Sequence, residues 1–305
     1  MKKLGLSVTI GISAYNEEKN IQKLLWSILK QKGKEFHISK IIVISDASTD
    51  KTIEKISELK IKNLEFIKNK KRLGQNACYN QILKMSGSDI VVLLEADTIM
   101  SDEKYISHFI DAFNENENVG VVFGASLPLQ NTNGNITEKT MFFIEVLKEK
   151  KLRRLKKQDN LYLSGTGKAL SKKIVKTLRF PLDVPEDSFI YFFSKINNIK
   201  TIFEAKALLY YRVPTNLHDF LKKSSRYRKG EIQLGKYFSL GLVESNYRLP
   251  SLWILSFILE GIFLSPLYMI NYLAMNLYAR IFVKFSSNYN PLWEISESTK
   301  NLDIN

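Results

Sequence analysis

One cysteine, Cys78, occurs among the 305 residues, so no disulfide can form within the chain and a reducing, cytoplasmic setting is expected. That cysteine reads as a buried residue beneath a loop, not as a nucleophile. Histidine is almost as scarce: His37, His108 and His218 are scattered and take no role. There is no low-complexity segment and no internal repeat. Met1-Lys2-Lys3-Leu4-Gly5 runs straight into a strand pattern, without the apolar core and cleavage site of a signal peptide. No Gly-x-Gly-x-x-Gly follows the first strand pattern, which disfavours a dinucleotide site. No Gly-x-x-x-x-Gly-Lys-Ser/Thr is present, which excludes a P-loop. What remains is an ordinary folded composition, 45% hydrophobic and 25% charged, in a length that suits one large or two ordinary domains.

Negative charge is in deficit. The formal net charge is +14, from 45 Lys and Arg against 31 Asp and Glu. Such an excess attracts polyanions: nucleic acid, anionic lipid headgroups or phosphorylated substrates. It is uneven, with seven bases and one acid in residues 148–157 and five bases from Lys222 to Lys229. Each cluster reads equally as a binding surface or as a solvated helix face.

The first hundred residues alternate strand and helix patterns. Leu6–Tyr15 is β-branched and strand-like, and Asn16 is expected to cap a helix running to about Gln31, with Glu17 and Glu18 in its first turn. Strands are expected at Lys40–Ser45 and Leu64–Lys68, with a helix between them bearing Ile53, Ile56 and Leu59. A turn at Arg72–Asn76 leads into a helix to about Met85. This rhythm predicts a parallel sheet in a doubly wound α/β layer. Later elements are a strand at Val119–Leu127, a helix over Thr137–Lys157, a glycine turn at Ser164-Gly165-Thr166-Gly167, a strand at Thr201–Arg212 and a basic helix at Leu217–Tyr237.

The run Asp89-Ile-Val-Val-Leu-Leu-Glu95-Ala96-Asp97 is the most informative stretch. Its apolar centre predicts a strand buried on both faces. Residues i and i+2 on a strand point the same way, so Glu95 and Asp97 would face one site at the carboxyl edge of the sheet. Two converging acids repel unless a cation lies between them, and Mg²⁺ shares one or two carboxylates with substrate phosphates. Tyr15, Asn16, Glu17 and Asp46 fall at the ends of neighbouring strands on the same edge, where a nucleotide would sit.

At these residues the chain resembles the family 2 glycosyltransferases, with their GT-A fold and mostly parallel sheet, over roughly residues 6–235. Ser13-Ala14-Tyr15-Asn16-Glu17-Glu18 is similar to the family's Pro-x-Tyr-Asn-Glu opening. Ser45-Asp46-Ala47-Ser48-Thr49-Asp50 is similar to Asp-Asp-Gly-Ser-Thr-Asp, Gly74-Gln-Asn-Ala77 with Asn80 to the Gly-x-x-x-Ala-x-Asn segment, and Glu95-Ala96-Asp97 to Asp-x-Asp. The resemblance implies an inverting enzyme that moves a sugar from a UDP- or GDP-type donor. Ser13, Tyr15, Asn16, Glu17, Asp46, Gly74, Glu95 and Asp97 would bind the nucleotide sugar, Asp46 contacting the base. Mg²⁺ or Mn²⁺ would be held by Asp97, with Glu95 as second ligand or ribose contact. Pro185-Glu186-Asp187 looks like the family's Glu-Asp motif, which makes Asp187 the expected base and Glu186 its alternate. The acids also suit a helix N-terminus. Gly165, Thr166 and Gly167 look like the acceptor loop. Arg226 and Arg228 sit where processive members carry Gln-x-x-Arg-Trp, whose Gln and Trp are missing, which argues against a cellulose- or hyaluronan-type polymerase; the two arginines read equally as nucleotide-sugar ligands that neutralise the diphosphate or as part of a membrane-surface or solvent-facing basic helix.

From Leu252 to Ile270 only Glu260 is charged, and apolar character continues to Phe285. A membrane-spanning helix, a pair lying in the interface and helices docked on the soluble domain are the three readings. Basic residues on the preceding domain would put it on the cytoplasmic face of the membrane. The expected organisation is a catalytic domain over 1–240, divided near 130 into nucleotide-sugar and acceptor halves, then hydrophobic helices at 241–285 and a polar tail at 286–305. The expected acceptor is a hydroxyl of a lipid-linked or other membrane-associated glycan, with a polyprenyl phosphate as the alternative. A nucleotidyltransferase would want a glycine-rich basic loop where the acidic Ser13–Glu18 stands. A nucleic-acid-binding protein fits the charge, but no recognised binding motif appears, so no nucleic-acid partner is expected. An idle membrane scaffold is disfavoured by the acids at 46, 97 and 187.

Overall fold

The computed structural model describes residues 5–155, 161–163, 165–285 and 296–302. Ser164, Lys156 and Lys157 lie outside the described residues, as do residues 1–4 and most of the expected tail. The chain divides into two compact units: Met1–Ser126 with Leu163–Tyr210, and Leu127–Tyr162 with Tyr211–Asn305.

The first part of the chain runs β1 (Leu6–Ala14), α1 (Ile21–Leu29), β2 (Phe36–Ser45), α2 (Thr52–Ser57), β3 (Leu64–Lys68), α3 (Gln75–Met85), β4 (Ile90–Glu95), β5 (Thr98–Met100), α4 (Tyr105–Glu115) and β6 (Val119–Pro128). After α5 (Ile136–Leu155), it continues through β7 (Lys168–Ser171), α6 (Lys172–Thr177), α7 (Glu186–Ile196) and β8 (Lys200–Tyr211). The eight strands form one mixed sheet in the order β3-β2-β1-β4-β7-β6-β8-β5. β1 pairs parallel with β2 and β4, and β2 with β3. β7 runs antiparallel to both β4 and β6. The alternation expected in the first hundred residues therefore produces the parallel half of the sheet.

Alternation along β1 assigns its two faces. Val8, Ile10 and Ile12 join Leu24 and Leu25 of α1 and Phe109 of α4 in one core. On the other face Gly11 leaves room for α3: a Cβ there would fall 2.4 Å from Ile82 Cγ2. Ile41–Ile44 and Val91–Leu94 are buried without interruption, as strands covered on both faces must be.

Two local expectations are corrected. Asn16 does not cap a helix, because α1 begins only at Ile21. Asn16 adopts φ 52°, and its side chain is committed to the following loop. Nor do Glu95 and Asp97 share a strand. β4 ends at Glu95, and Ala96-Asp97 form a turn into β5 with Ala96 buried between two half-buried acids. β5, α4 and α6 are elements that the sequence pattern did not reveal.

The second unit contains α5, α8 (Leu217–Leu234), α9 (Leu240–Tyr247), α10 (Ser251–Leu264) and α11 (Pro266–Phe285). Ile144 and Leu147 of α5 pack with Phe257 of α10 and Met269 of α11. Glu260, the acid in the apolar run, pairs with Lys151 at 2.8 Å and Lys150 at 3.3 Å. That contact accounts for part of the basic cluster at 148–157. Leu240–Leu264 is long and apolar enough to cross a membrane by length and composition. Its path is interrupted at residues 248–250, where Pro250 precedes α10, and 14 residues of α10 rise only about 21 Å. Leu252, Leu259, Phe263, Leu267, Ile270 and Leu277 of α10 and α11 are exposed.

Candidate active site

The loops after β1 and β2 are stitched together by the first two motifs. Asn16 Oδ1 accepts from Thr49 N at 2.8 Å, and Asn16 N donates to Ser48 Oγ at 3.1 Å. Glu17 N donates to Thr52 Oγ1 at 2.6 Å, and Glu18 N to Asp50 Oδ2 at 3.1 Å. Glu17 is buried, and its Oε2 accepts from Asn20 at 2.9 Å. Asn16 and Glu17 thus shape the edge from within. Ala47, where the family motif has glycine, takes φ 59°, a left-handed conformation that costs an alanine about 1–2 kcal/mol. Tyr15 remains half-buried at the rim, with the Arg72 guanidinium 4.3 Å from its ring centre.

Asp46 is buried and pins the third motif to the second. Its Oδ1 accepts from Leu73 N at 2.8 Å and Asn69 Nδ2 at 3.1 Å, and its Oδ2 accepts from Gly74 N at 2.8 Å. Gly74 has φ 91°, a value that suits only glycine, and this turn starts α3. Ser13, opposite Glu95 in the β1–β4 register, hydrogen-bonds the Cys78 thiol. Burial and the nearby Asp46 carboxylate push that thiol up to about 12, so Cys78 is an inert packing residue.

α3 carries the order further. Asn76 Nδ2 donates to the carbonyls of Pro181 at 2.5 Å and Val184 at 2.8 Å. Asn80 exchanges two bonds with Phe180, each 2.8 Å. These residues, one helical turn apart, hold the segment that delivers Pro185-Glu186-Asp187. Both acids then enter the first turn of α7, as the helix-terminus reading required.

The acids meet around two residues that sequence reasoning missed, Tyr79 and Lys168. Tyr79 is fully buried, receives a bond from Gln75 Nε2 at 3.0 Å and donates to Leu94 O at 3.2 Å. Its phenol is held far above the usual range by burial first, then by the negative charges of Glu95, Glu186 and Asp97. Those three acids therefore act electrostatically on one hydroxyl. Lys168 opens β7 beside Leu93 of β4 and Phe123 of β6. Its side chain is 0% exposed, pairs with Glu186 Oε1 at 2.9 Å and lies over the Tyr79 ring at 5.8 Å. Burial alone would depress this amine; Glu186, Asp187 and Glu95 outweigh it and hold it charged. Asp187 Oδ1 accepts from Ser188 N at 2.6 Å. Burial, and then the charge of Glu186, raise the Asp187 carboxyl above its ordinary range. The clue in the sequence was a lysine beginning the otherwise apolar Lys168-Ala-Leu170, just after a glycine turn.

Glu95 and Asp97, half-buried at the end of β4 and in the turn after it, are the carboxylates that the sequence assigned to a cation. Among the described residues no group of three or more Asp, Glu, His or Cys is arranged to hold one. Two carboxylates do not complete a protein cage, but they suit a hard cation that arrives with phosphate oxygens. Gly165 and Gly167 have a packing reason for being glycine. A Cβ on Gly165 would fall 2.1 Å from Gly124 O, and one on Gly167 would fall 2.0 Å from the Tyr105 hydroxyl. Gly124 N also donates to Gly167 O at 2.8 Å. Thr166 between them is half-buried. Arg226 and Arg228 belong to the second unit, on α8; Arg226 is exposed and Arg228 half-buried.

The glycosyl transferase family 2 model matches residues 9–179, over half of the chain. Poly-beta-1,6-N-acetyl-D-glucosamine synthases of Staphylococcus aureus (strain COL) and Staphylococcus epidermidis are 31% identical over 118 and 114 residues, 38% and 37% of this chain. The matched region spans only 28% and 27% of those relatives' lengths. The mannosyltransferase PcManGT from Pyrobaculum calidifontis, solved with GDP-Man and Mn²⁺, superposes with a TM-score of 0.58 at 16% identity, covering 92% of this chain and 84% of that one. S. aureus TarS 1–349 with UDP-GlcNAc gives 0.52 at 19% identity, covering 78% and 69%. At such identities the likeness is one of fold, and the fold is the GT-A fold.

Proposed function

The chain belongs to glycosyl transferase family 2, and from that membership we propose that its first unit transfers a sugar, with inversion, from a nucleoside diphosphate sugar to an acceptor hydroxyl. The observation that carries this reading is the buried Lys168–Glu186 ion pair at 2.9 Å beside Tyr79, with the charges of Glu95 and Asp187 acting on Lys168 and those of Glu95 and Asp97 on Tyr79. A hydroxyl is a poor nucleophile until a base takes its proton. Asp187 is that base, and its raised carboxyl is the better proton acceptor near neutral pH. The donor nucleotide lies along the edge formed by Tyr15, Asp46 and Gly74. Asp97 and Glu95 would hold Mg²⁺ or Mn²⁺, which when bound offsets the charge gathering on the departing diphosphate. A UDP- or GDP-type donor is supported by the UDP-GlcNAc, and by the GDP-Man with Mn²⁺, with which the two superposed structures were solved.

The acceptor belongs to a lipid-linked or membrane-associated glycan, and the protein works on the cytoplasmic face of a membrane. Support comes from the exposed apolar side chains of α10 and α11 and from the polysaccharide synthases among the relatives. A polyprenyl phosphate acceptor is the second reading. Phosphate is already ionised and needs little base assistance, so the elaborate setting of Asp187 favours a hydroxyl. The test is a panel of UDP- and GDP-sugars with Mn²⁺, Mg²⁺ or EDTA, read as nucleotide diphosphate release and as binding. Asp187→Asn should keep donor binding and lose turnover by 100-fold or more, in line with the roughly 10²–10⁴ that a general base contributes. If no nucleotide sugar binds or is turned over, the proposal is wrong.

A further inference from the structure

We propose that Lys168 is a positioning residue that locks Glu186 as a permanent carboxylate and thereby leaves Asp187 as the only proton acceptor of the pair. The inference rests on the glycosyl-transfer reading above, but none of the motifs behind that reading assigns this lysine a role. The Lys168 side chain is 0% exposed and that of Glu186 is 10% exposed, so their 2.9 Å ion pair is largely withdrawn from water. Protonating Glu186 would leave a buried ammonium without its direct partner, which is far more costly than the pair is worth. Glu186 therefore cannot cycle as a base. Asp187 has no such tie. Its Oδ1 is held by Ser188 N at 2.6 Å and Ser188 Oγ at 3.3 Å, while its Oδ2 accepts no hydrogen bond among the described residues. That oxygen is available to a proton arriving from an acceptor.

Lys168 is also a cation whose charge is coupled to Glu186, Asp187 and Glu95 together. With it, those three carboxylates and one ammonium carry a local charge of −2; without it, −3. Among the described residues, Lys168 from β7 acts on both acids and Glu186 acts on Tyr79 from α3; Glu95 at the end of β4 acts on Lys168 and Tyr79, and Asp97 in the turn after β4 on Tyr79. An opposite charge at this range lowers a carboxylate by roughly 1–3 pH units, and its removal returns that amount.

A ligand-free measurement tests this directly. The full chain, labelled with ¹³C at the Asp and Glu side-chain carboxyls and kept in EDTA, is titrated by NMR. Asp187→Asn and Glu186→Gln identify the two resonances by their loss. In the wild type Glu186 should ionise first as the pH rises and Asp187 last. Lys168→Gln should move the Asp187 midpoint up by about one unit or more. Lys168→Gln with Glu186→Gln should reverse most of that shift, and Lys168→Arg should hold the wild-type midpoint. A lysine that only fills space would change thermal stability in these variants and leave the Asp187 midpoint where it was, which overturns the proposal. Glu186 ionising after Asp187 in the wild type overturns it as well. Should Lys168→Gln fail to fold, the double variant with Glu186→Gln, which leaves no buried charge unpaired, is compared with Glu186→Gln alone: a higher Asp187 midpoint in the double variant supports the lysine's role, and equal midpoints overturn it. Because no donor is involved, failure here is distinct from failure of the sugar-nucleotide panel.

Discussion

Replacing Tyr105 by phenylalanine should stabilise this protein, and the same change should rescue an alanine at position 167. Tyr105 is fully buried, and its hydroxyl has no hydrogen-bond partner among the described residues. A buried, unsatisfied hydroxyl costs about 1–3 kcal/mol. Deleting it leaves a void the size of one oxygen, worth about 0.3 kcal/mol at roughly 24 cal/mol per Å³. The edge-to-face contact with Phe109, at 5.1 Å and 82°, survives the change. Tyr105→Phe is therefore expected to gain about 1 kcal/mol, a rise in Tm of about 2 °C. Gly167→Ala puts a methyl 2.0 Å from the Tyr105 hydroxyl and 2.9 Å from Leu209 Cδ1, and overpacking of this kind costs about 1–3 kcal/mol. With the hydroxyl gone, the nearest ring atom is Cζ at 3.3 Å, a tight but tolerable contact. The two changes should therefore couple by about 1–2 kcal/mol in a double-mutant cycle measured by urea unfolding. Additivity within about 0.5 kcal/mol, or a Tyr105→Phe protein less stable than wild type, refutes the reasoning. The double mutant also separates two reasons for the glycine. If stability returns and turnover does not, the acceptor needs the bare backbone at position 167; if both return, packing alone explains it.

Asn76→Ala should cost about 1–2 kcal/mol, since two carbonyls before Pro185 lose their donor. Turnover should fall while donor Kd stays within twofold, and a parallel loss of binding would mean that α3 does not act through the Glu186-Asp187 segment. Asp46→Asn turns an amide NH₂ toward at least one of the N–H groups of Leu73, Gly74 and Asn69, so about 2–3 kcal/mol of stability and much of the nucleotide affinity should go. Denaturation midpoints within 0.5 kcal/mol of wild type would remove Asp46 from this role. Cys78 titrates from an ordinary 9.0 to about 12 in the folded chain, so folding retains a proton that the unfolded chain loses. Stability should be insensitive to this group below pH 9 and decline between 9 and 12, and Cys78→Ala should flatten that decline in pH-dependent thermal melts.

The motifs were legible because each is local. Asn16, Asp46, Gly74, Glu95 and Asp187 lie at or just beyond strand or helix ends, and periodicity locates such ends only to within a few residues: the first helix begins at Ile21, five residues after its expected cap. What those residues do was less legible. Asn16 and Glu17 were expected at the nucleotide, and the structure adds that their side chains are bonded within the loops they shape. Gly165 and Gly167 looked like an acceptor loop, yet their missing Cβ atoms are required by Gly124 and Tyr105, 41 and 62 positions away.

The sequence by itself determined the strand–helix rhythm, the family and the order of its acidic motifs, because these depend on spacing along the chain. Only the tertiary structure decided which acids share a charge environment. Lys168 stands 18 positions before its partner Glu186 and 73 after Glu95, and it reaches them only because β7 reverses direction beside β4. Electrostatic coupling falls with distance in space, not along the chain, and burial strengthens it. A lysine that looks unremarkable in the sequence therefore becomes the charge that distinguishes one carboxylate from its neighbour.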